Sequence, residues 1–451
     1  MQRSTIQVIT VTVTKPADSA VKFAADHRVD FTLRGHDTVQ GDKPYVVALV
    51  GISQPGYQCL ANAYLRESLR ADTRLSNLAV GTLEFDTTAS AWWIVYHLLS
   101  QEYEPDLVGF SVYCWNAATV YEILRLLRKV RPDLPVVLGG PEVGPIAEEM
   151  CERFSPQVVY VAASEGERVI CDVVEVLMRD KSPRKLAYLP TRDAVEDMDT
   201  LPPPYTEEQR PPIDGSAYIE TYRGCPHRCS YCYESKGIAK IRSFSWQRIA
   251  ADIDLVAGTP GMRSFTFVDS AFNLTLERLR KLSDLLAPHA ARGIRLHTIE
   301  VDIESIDDEQ AALLVRAGVV SVETGPQTTG TVALEQSQRS FNRDAYLRGV
   351  KACRDAGITV IADLILGLPG DSVETCLESM RFVVQDADPG IMQASSLHVL
   401  PGTLLWDKAE ELSLHYDSEP PHAVIQTADI SFRELRELEV FSAALGKLYR
   451  I

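Results

Sequence analysis

At 451 residues the chain is too long for one ordinary domain, and its 45% hydrophobic and 24% charged residues are those of a globular protein. A net charge of −17, with lysines and arginines scattered rather than clustered, argues against a nucleic-acid partner. No apolar run reaches the roughly 20 residues a membrane helix needs and the N-terminus has no compact apolar core, so a cytoplasmic protein without a membrane partner is expected.

Residues 1–43 read as an N-terminal extension with one candidate strand, Thr5–Val13. From Tyr45 onward, short β-branched runs alternate with amphipathic helical segments. YVVALVGIS reads as a buried strand and CLANAYLRESLRA as a helix. LSNLAVGTLEF, DLVGFSVYCW, PVVLGGPEV and VVYVAASEGE read as further strands, separated by helices such as ASAWWIVYHLLSQ and ATVYEILRLLRKVRP. This alternation predicts βαβ units and a parallel, doubly wound, Rossmann-like domain over residues 44–180.

Residues 181–214 are rich in proline and charge, which disfavours helix or central strand and predicts a linker or a strap over a neighbour. A second βα series follows, with strands at Ala217–Tyr222, Ser264–Asp269, Arg295–Val301, Val319–Thr324, Thr359–Leu366 and Ala394–Leu400. Six parallel strands predict a partial (β/α)6 barrel over 215–403, with its chemistry at the strand C-termini. The tail, 404–451, carries an amphipathic helix expected to pack on the barrel.

TYRGCPHRCSYCYESKG crowds three of the nine cysteines, Cys225, Cys229 and Cys232, into one loop after a strand. The others are dispersed, mostly in apolar segments, which is wrong for a secreted disulfide framework. Zinc sites draw four ligands, usually from two spaced Cys/His pairs. Here no fourth cysteine is near, and His227 lies between two ligands. Three thiolates on a cubane iron–sulfur cluster leave one iron open to a cofactor. Tyr231 would cover one side of that group.

The Cys-x3-Cys-x2-Cys loop resembles the signature of the radical S-adenosylmethionine (radical SAM) enzymes, over about Ser216 to Thr403. That resemblance implies a [4Fe–4S] cluster whose open iron chelates S-adenosylmethionine, and a one-electron reductant of flavodoxin or ferredoxin type. It also implies reductive cleavage to a 5′-deoxyadenosyl radical that abstracts a substrate hydrogen. FTFVDSAFN stands where the family carries a Gly-Gly-Glu-like segment; Asp269 and Ser270 occupy it without the glycines. VETGPQTTG resembles the family's Glu-x-Gly-x-Gln-Ser/Thr, which makes Glu323, Gln327 and Thr328 candidate ribose or methionine contacts. Arg339 is a candidate partner for the carboxylate, and Gly367 in ADLILGLPGD marks the turn expected against adenine.

The first domain, through GFSVYCWN, VLGGPEVG and ASEGE, resembles the cobalamin-binding domain that precedes the barrel in one radical SAM subclass. It lacks the Asp-x-His-x-x-Gly that supplies a lower histidine ligand elsewhere, so a cobalamin site and a retained scaffold both stay open. Strand alternation would put Tyr218, Glu220 and Tyr222 on one face, as candidate groups for moving protons around a polar ligand. Size and layout are similar to the radical SAM diol-dehydratases of aminoglycoside biosynthesis. That likeness implies dehydration of a small polar substrate such as a cationic amino sugar, with a reductase acting on the product. A cobalamin-dependent C-methyltransferase and a non-catalytic iron–sulfur or corrinoid sensor are the alternatives.

Overall fold

The computed structural model describes residues 28–32, 43–101, 104–179, 193–234 and 240–449. The candidate strand Thr5–Val13 and residues 181–192 of the proline-rich segment lie outside these residues.

The first domain runs β1 (Arg28–Thr32), β2 (Tyr45–Ser53), α1 (Leu60–Ala71), β3 (Leu78–Asp86), α2 (Ala91–Leu99), β4 (Leu107–Ser111), α3 (Ala117–Val130), β5 (Val136–Gly139), α4 (Ala147–Arg153), β6 (Val158–Val161) and α5 (Gly166–Arg179). Its sheet has the order β1-β3-β2-β4-β5-β6, parallel except for β1. Strands β2 and β4 are apolar on both faces because helices cover both. One core lies under α2, α3 and α4, and the other under α1 and α5. The direction of winding reverses between β2 and β4, so the switch point where such sheets bind ligands lies at the ends of those strands.

The second domain contains β7 (Tyr218–Ile219), β8 (Tyr222–Arg223), β9 (Arg242–Ser243), α6 (Trp246–Gly258), β10 (Ser264–Phe267), α7 (Leu276–Ala291), β11 (Arg295–Leu296), β12 (Ile299–Glu300), α8 (Asp308–Arg316), β13 (Ser321–Gln327), α9 (Thr331–Gln336), α10 (Arg343–Asp355), β14 (Thr359–Leu366), α11 (Val373–Arg381) and β15 (Gly390–Ser396). Parallel pairing runs from β7 through β10, β11 and β12 to β13, β14 and β15, with a Leu296–Val319 bridge at the joint. This is the partial (β/α)6 barrel. Val322, Val360, Ala362 and Leu364 pack outward into the helix-covered core, so the alternate positions of the same strands face the lumen.

Three barrel strands differ from expectation. The first regular strand stops at Ile219, and Tyr222–Arg223 leaves it to pair antiparallel with Arg242–Ser243. The third is split by Thr298, whose φ is +51°. The last runs Gly390–Ser396, earlier than the predicted Ala394–Leu400. The Leu397 amide still donates to Leu366 O, but from there the chain pairs elsewhere: His398 bridges Ala423, and the Val424 amide donates to the Leu397 carbonyl.

After the barrel come α12 (Leu404–Asp407), β16 (His415–Tyr416), β17 (Val424–Gln426) and α13 (Phe432–Tyr449), which lays Leu435 and Leu438 against the barrel core. From the segment before the barrel, Val195, Met198, Leu201 and Tyr205 enter that same core. Among the described residues no helix is long and apolar enough to cross a membrane.

Candidate functional site

The cysteine loop leaves β8 through Gly224, at φ +106°, a conformation that favours glycine. Antiparallel β8 and β9 form a short stem on either side of it. The Ser270 hydroxyl donates to the Gly224 carbonyl at 2.9 Å, fastening the loop to the end of β10. Between the second and third cysteines, the Ser230 amide donates to Ser337 O at 2.9 Å and the Leu405 amide donates to Ser230 O at 2.9 Å. The loop is thus pinned from both flanks. Cys229 is buried, and Cys225 and Cys232 are half-buried.

Burial pushes the Cys232 thiol up to about 12, with the charges of Glu234 and the other two cysteines adding to the rise. Burial also raises Cys225. Thiols that resist ionisation, as Cys225 and Cys232 do, are matched by a cationic cluster that takes them as thiolates. Among the described residues no three Cys, His, Asp or Glu side chains converge on a single ion; a four-iron cube instead gives each thiolate its own iron. The donor set therefore fits a [4Fe–4S] cluster held by Cys225, Cys229 and Cys232. Arg339 places Nη1 3.5 Å from Cys229 Sγ and gives its Nη2 hydrogen bond to the Gly325 carbonyl. Tyr231 packs against the core beside them.

A row of oxygen-bearing side chains crosses the lumen on four adjacent strands: Glu300, Glu323, Asp363 and Gln393. Glu300 is the register partner of Glu323, and Asp363 that of Gln393. The Gln393 carboxamide donates to Glu323 Oε1 at 3.2 Å. Burial, then repulsion from Glu323, pushes Asp363 up to about 8. The same two causes raise Glu300 to about 7, although water reaches it through the open lumen and screens part of that repulsion. Asp363 Oδ1 is buried without a partner among the described residues. Both groups can hold or release a proton near neutrality.

At the mouth beyond this row, Gln327 has φ +63° and a buried Oε1 without a partner among the described residues. A Cβ on Gly325 would run into the Gln327 carboxamide, so glycine there makes the bend possible. Thr328 turns away and donates to Asp371 Oδ1 at 3.0 Å. Asp269 is buried, takes the Thr221 amide at 2.8 Å and faces Arg278 at 3.5 Å; burial lifts it to about 6. Gly367, at φ +86°, lies under Leu435 and Val424.

The structure does not bring Tyr218, Glu220 and Tyr222 together, because the strand breaks before alternation can align them. Tyr218 stacks on Tyr57 of the first domain, with ring centroids 6.2 Å apart. Glu220 accepts from Arg223 Nε at 2.9 Å. Tyr222 donates to the Ala271 carbonyl at 2.9 Å and accepts from the Ala271 amide at 2.7 Å. Asp363 was the residue sequence reasoning missed; a lone Asp in the apolar run TVIADLIL was its only signal.

At the switch point of the first domain, Asn116 Nδ2 donates to both Ile52 O (2.9 Å) and Ser111 O (3.1 Å), tying the ends of β2 and β4. Exposed Tyr57 follows β2, and after β4 the rings of Tyr113 and Trp115 stack at 4.4 Å. These flat apolar faces and the orphaned polar atom of Glu142 Oε2 on the loop after β5 suit a large amide-bearing ring. The other Glu142 oxygen meets His422 Nε2 at 2.8 Å, a fully buried pair linking this loop to the segment after the barrel. Pro145 of the same loop lies against Gly402. The ligand edge of the sheet therefore faces the barrel.

Residues 219–383 match the radical SAM superfamily, and residues 97–174 match the B12 binding domain. A radical SAM domain uses a [4Fe–4S] cluster and S-adenosylmethionine, the two cofactors the cysteine loop implies. An uncharacterised methyltransferase of Pyrococcus horikoshii is 22% identical over 327 residues, 68% of this chain and 70% of that one. Other curated relatives, methyltransferases and cyclases among them, are spanned over only 47% to 60% of their length. The solved radical SAM methyltransferase TsrM of Kitasatospora setae, with cobalamin and a [4Fe–4S] cluster bound, superposes with a TM-score of 0.65 at 20% identity, covering 87% of this chain and 84% of that one. The cobalamin-dependent radical enzyme OxsB, with aqua-cobalamin and S-adenosylmethionine bound, gives 0.63 at 16% identity, covering 88% and 66%. At these identities the likeness shows a shared two-domain fold.

Proposed function

We propose that this chain is a cobalamin-dependent radical SAM enzyme that transfers a methyl group to a carbon of a small polar substrate. The observation that carries this reading is the pairing itself: a B12-binding domain whose ligand edge is turned onto the mouth of a radical SAM barrel. Dehydration, the outcome first expected, finds no support among the named relatives, whereas methyl transfer recurs among them.

Bound together, the cluster, S-adenosylmethionine and cobalamin supply a one-electron source, a methyl donor and a methyl carrier. The chain's own residues do the rest. Cys225, Cys229 and Cys232 would hold the cluster, with the Arg339 guanidinium 3.5 Å from Cys229 Sγ. Gln327 and Glu323 offer acceptors for ribose or ammonium groups at the mouth. Tyr57, Tyr113 and Trp115 offer faces against which a corrin can rest. Glu300 and Asp363, beside Glu323, give the lumen a proton-exchanging floor of hydrogen-bond acceptors, which suits a polar substrate bearing an amine.

The test is anaerobic reconstitution with iron, sulfide and cobalamin, followed by turnover with a panel of polar amines and amino sugars. Stoichiometric corrinoid uptake and a product heavier by one CH2 are expected. A product lighter by one water, formed without corrinoid, would return the assignment to dehydration.

A further inference from the structure

The loop that carries the cysteines is gripped by the other domain. Its stem pairs Arg223 with Arg242 across β8 and β9. The Arg223 guanidinium reaches Glu220 at 2.9 Å, Glu167 at 2.6 Å and Glu165 at 3.1 Å. Arg242 holds Glu165 at 2.7 Å and donates to Val195 O at 2.6 Å. Arg223 also lies over the ring of Tyr64 in α1, 5.3 Å from its centroid. Glu165 and Glu167 stand where β6 hands over to α5, on the ligand edge of the B12-binding domain.

We infer that Arg223 is a positioning residue that sets the distance between the iron–sulfur loop and the B12-binding domain by locking the loop's stem into that domain's carboxylates. Its place supports this. It lies two residues before Cys225, so any tilt of the stem is passed to the first ligand. Only a guanidinium offers enough fixed donors to serve three carboxylates at once; an ammonium is a point charge. All four charged side chains are largely buried, so water cannot replace a lost partner. The inference rests on the proposed function only in the identity of the second cofactor.

The test uses the full-length, cofactor-loaded protein with Arg223→Lys and Glu167→Gln, the latter lying wholly outside the barrel. Pulsed electron paramagnetic resonance reads the distance between reduced cluster and cob(II)alamin. A single narrow distance is expected for the parent and a broadened one for both variants. Iron content and 5′-deoxyadenosine formation should stay within about 2-fold, while methylated product per deoxyadenosine falls about 10- to 100-fold, as small misplacements do. Unchanged distances and coupling in both variants would overturn the inference. So would iron content falling in step with product, which is the mark of a stability role alone. If the parent shows no cob(II)alamin signal, the cofactor in the proposed function is wrong. The clamp is then read by hydrogen exchange at the amides of 166–170 and 242–245, which must quicken in both variants; equal exchange refutes it.

Discussion

Asp363 and Glu300 make the lumen sensitive to pH. Both have carboxyls raised by burial and by Glu323, Asp363 to about 8 and Glu300 to about 7, against ordinary values near 4. A carboxyl whose folded value is raised favours the fold while protonated, so this contribution is complete below about pH 4 and is lost as pH climbs through about 8. Asp363→Asn should therefore raise the melting temperature at pH 8.5 and raise it much less at pH 5; melts at the two values check this. Gly325→Ala puts a methyl against Gln327, a small-to-large clash of about 1–3 kcal/mol. It should lower stability by that amount in denaturant titration and weaken S-adenosylmethionine binding in calorimetry. The three loop cysteines were legible as a candidate cluster site because their spacing is local. The Glu300–Glu323–Asp363–Gln393 row was not, because its members are brought together by register between four strands.

Helices announced themselves better than strands in the barrel. α6 starts where Ser245 accepts the Arg248 amide at 3.2 Å, a serine N-cap readable from the sequence. Ser245→Ala should cost about 1 kcal/mol, read by equilibrium unfolding, with cluster content unchanged. The first domain's strands were legible for a different reason: cover on both faces makes them continuous apolar runs. The final barrel strand was misplaced by several residues because Leu397–Val399 satisfy the same hydrophobic pattern while pairing with the segment near Ala423. Pattern identifies an extended segment but not its partner. The alternation argument for Tyr218, Glu220 and Tyr222 failed on similar grounds, since alternation holds only while the strand continues.

Across the whole molecule, buried charge contacts join the domains, among them Arg223 with Glu165 and Glu167, Arg242 with Glu165, and His422 with Glu142. Burial pulls the His422 value down, but the hydrogen bond and charge of Glu142 prevail and raise it. A raised histidine stabilises below its ordinary value near 6.5 and loses that contribution as pH rises through the folded value. Limited proteolysis should thus cut between the domains faster at pH 8.5 than at pH 6, and His422→Gln should remove the difference. Equal rates in the parent at both values would show that the pair does not hold the interface. No sequence pattern pointed to this pair, because its members are 280 positions apart.

The stem beneath the cysteine loop also bears on how the protein matures. Arg242 and Arg223 sit in a nearly dry setting whose counter-charges at Glu165 and Glu167 belong to the part of the chain that leaves the ribosome first. A barrel made alone would leave Arg223 with Glu220 only and Arg242 without its carboxylate, so the stem would lose most of its ionic partners. The stem is therefore fully paired only once the first domain has folded against it. The earlier half of the chain thus completes the setting of a loop encoded in the later half.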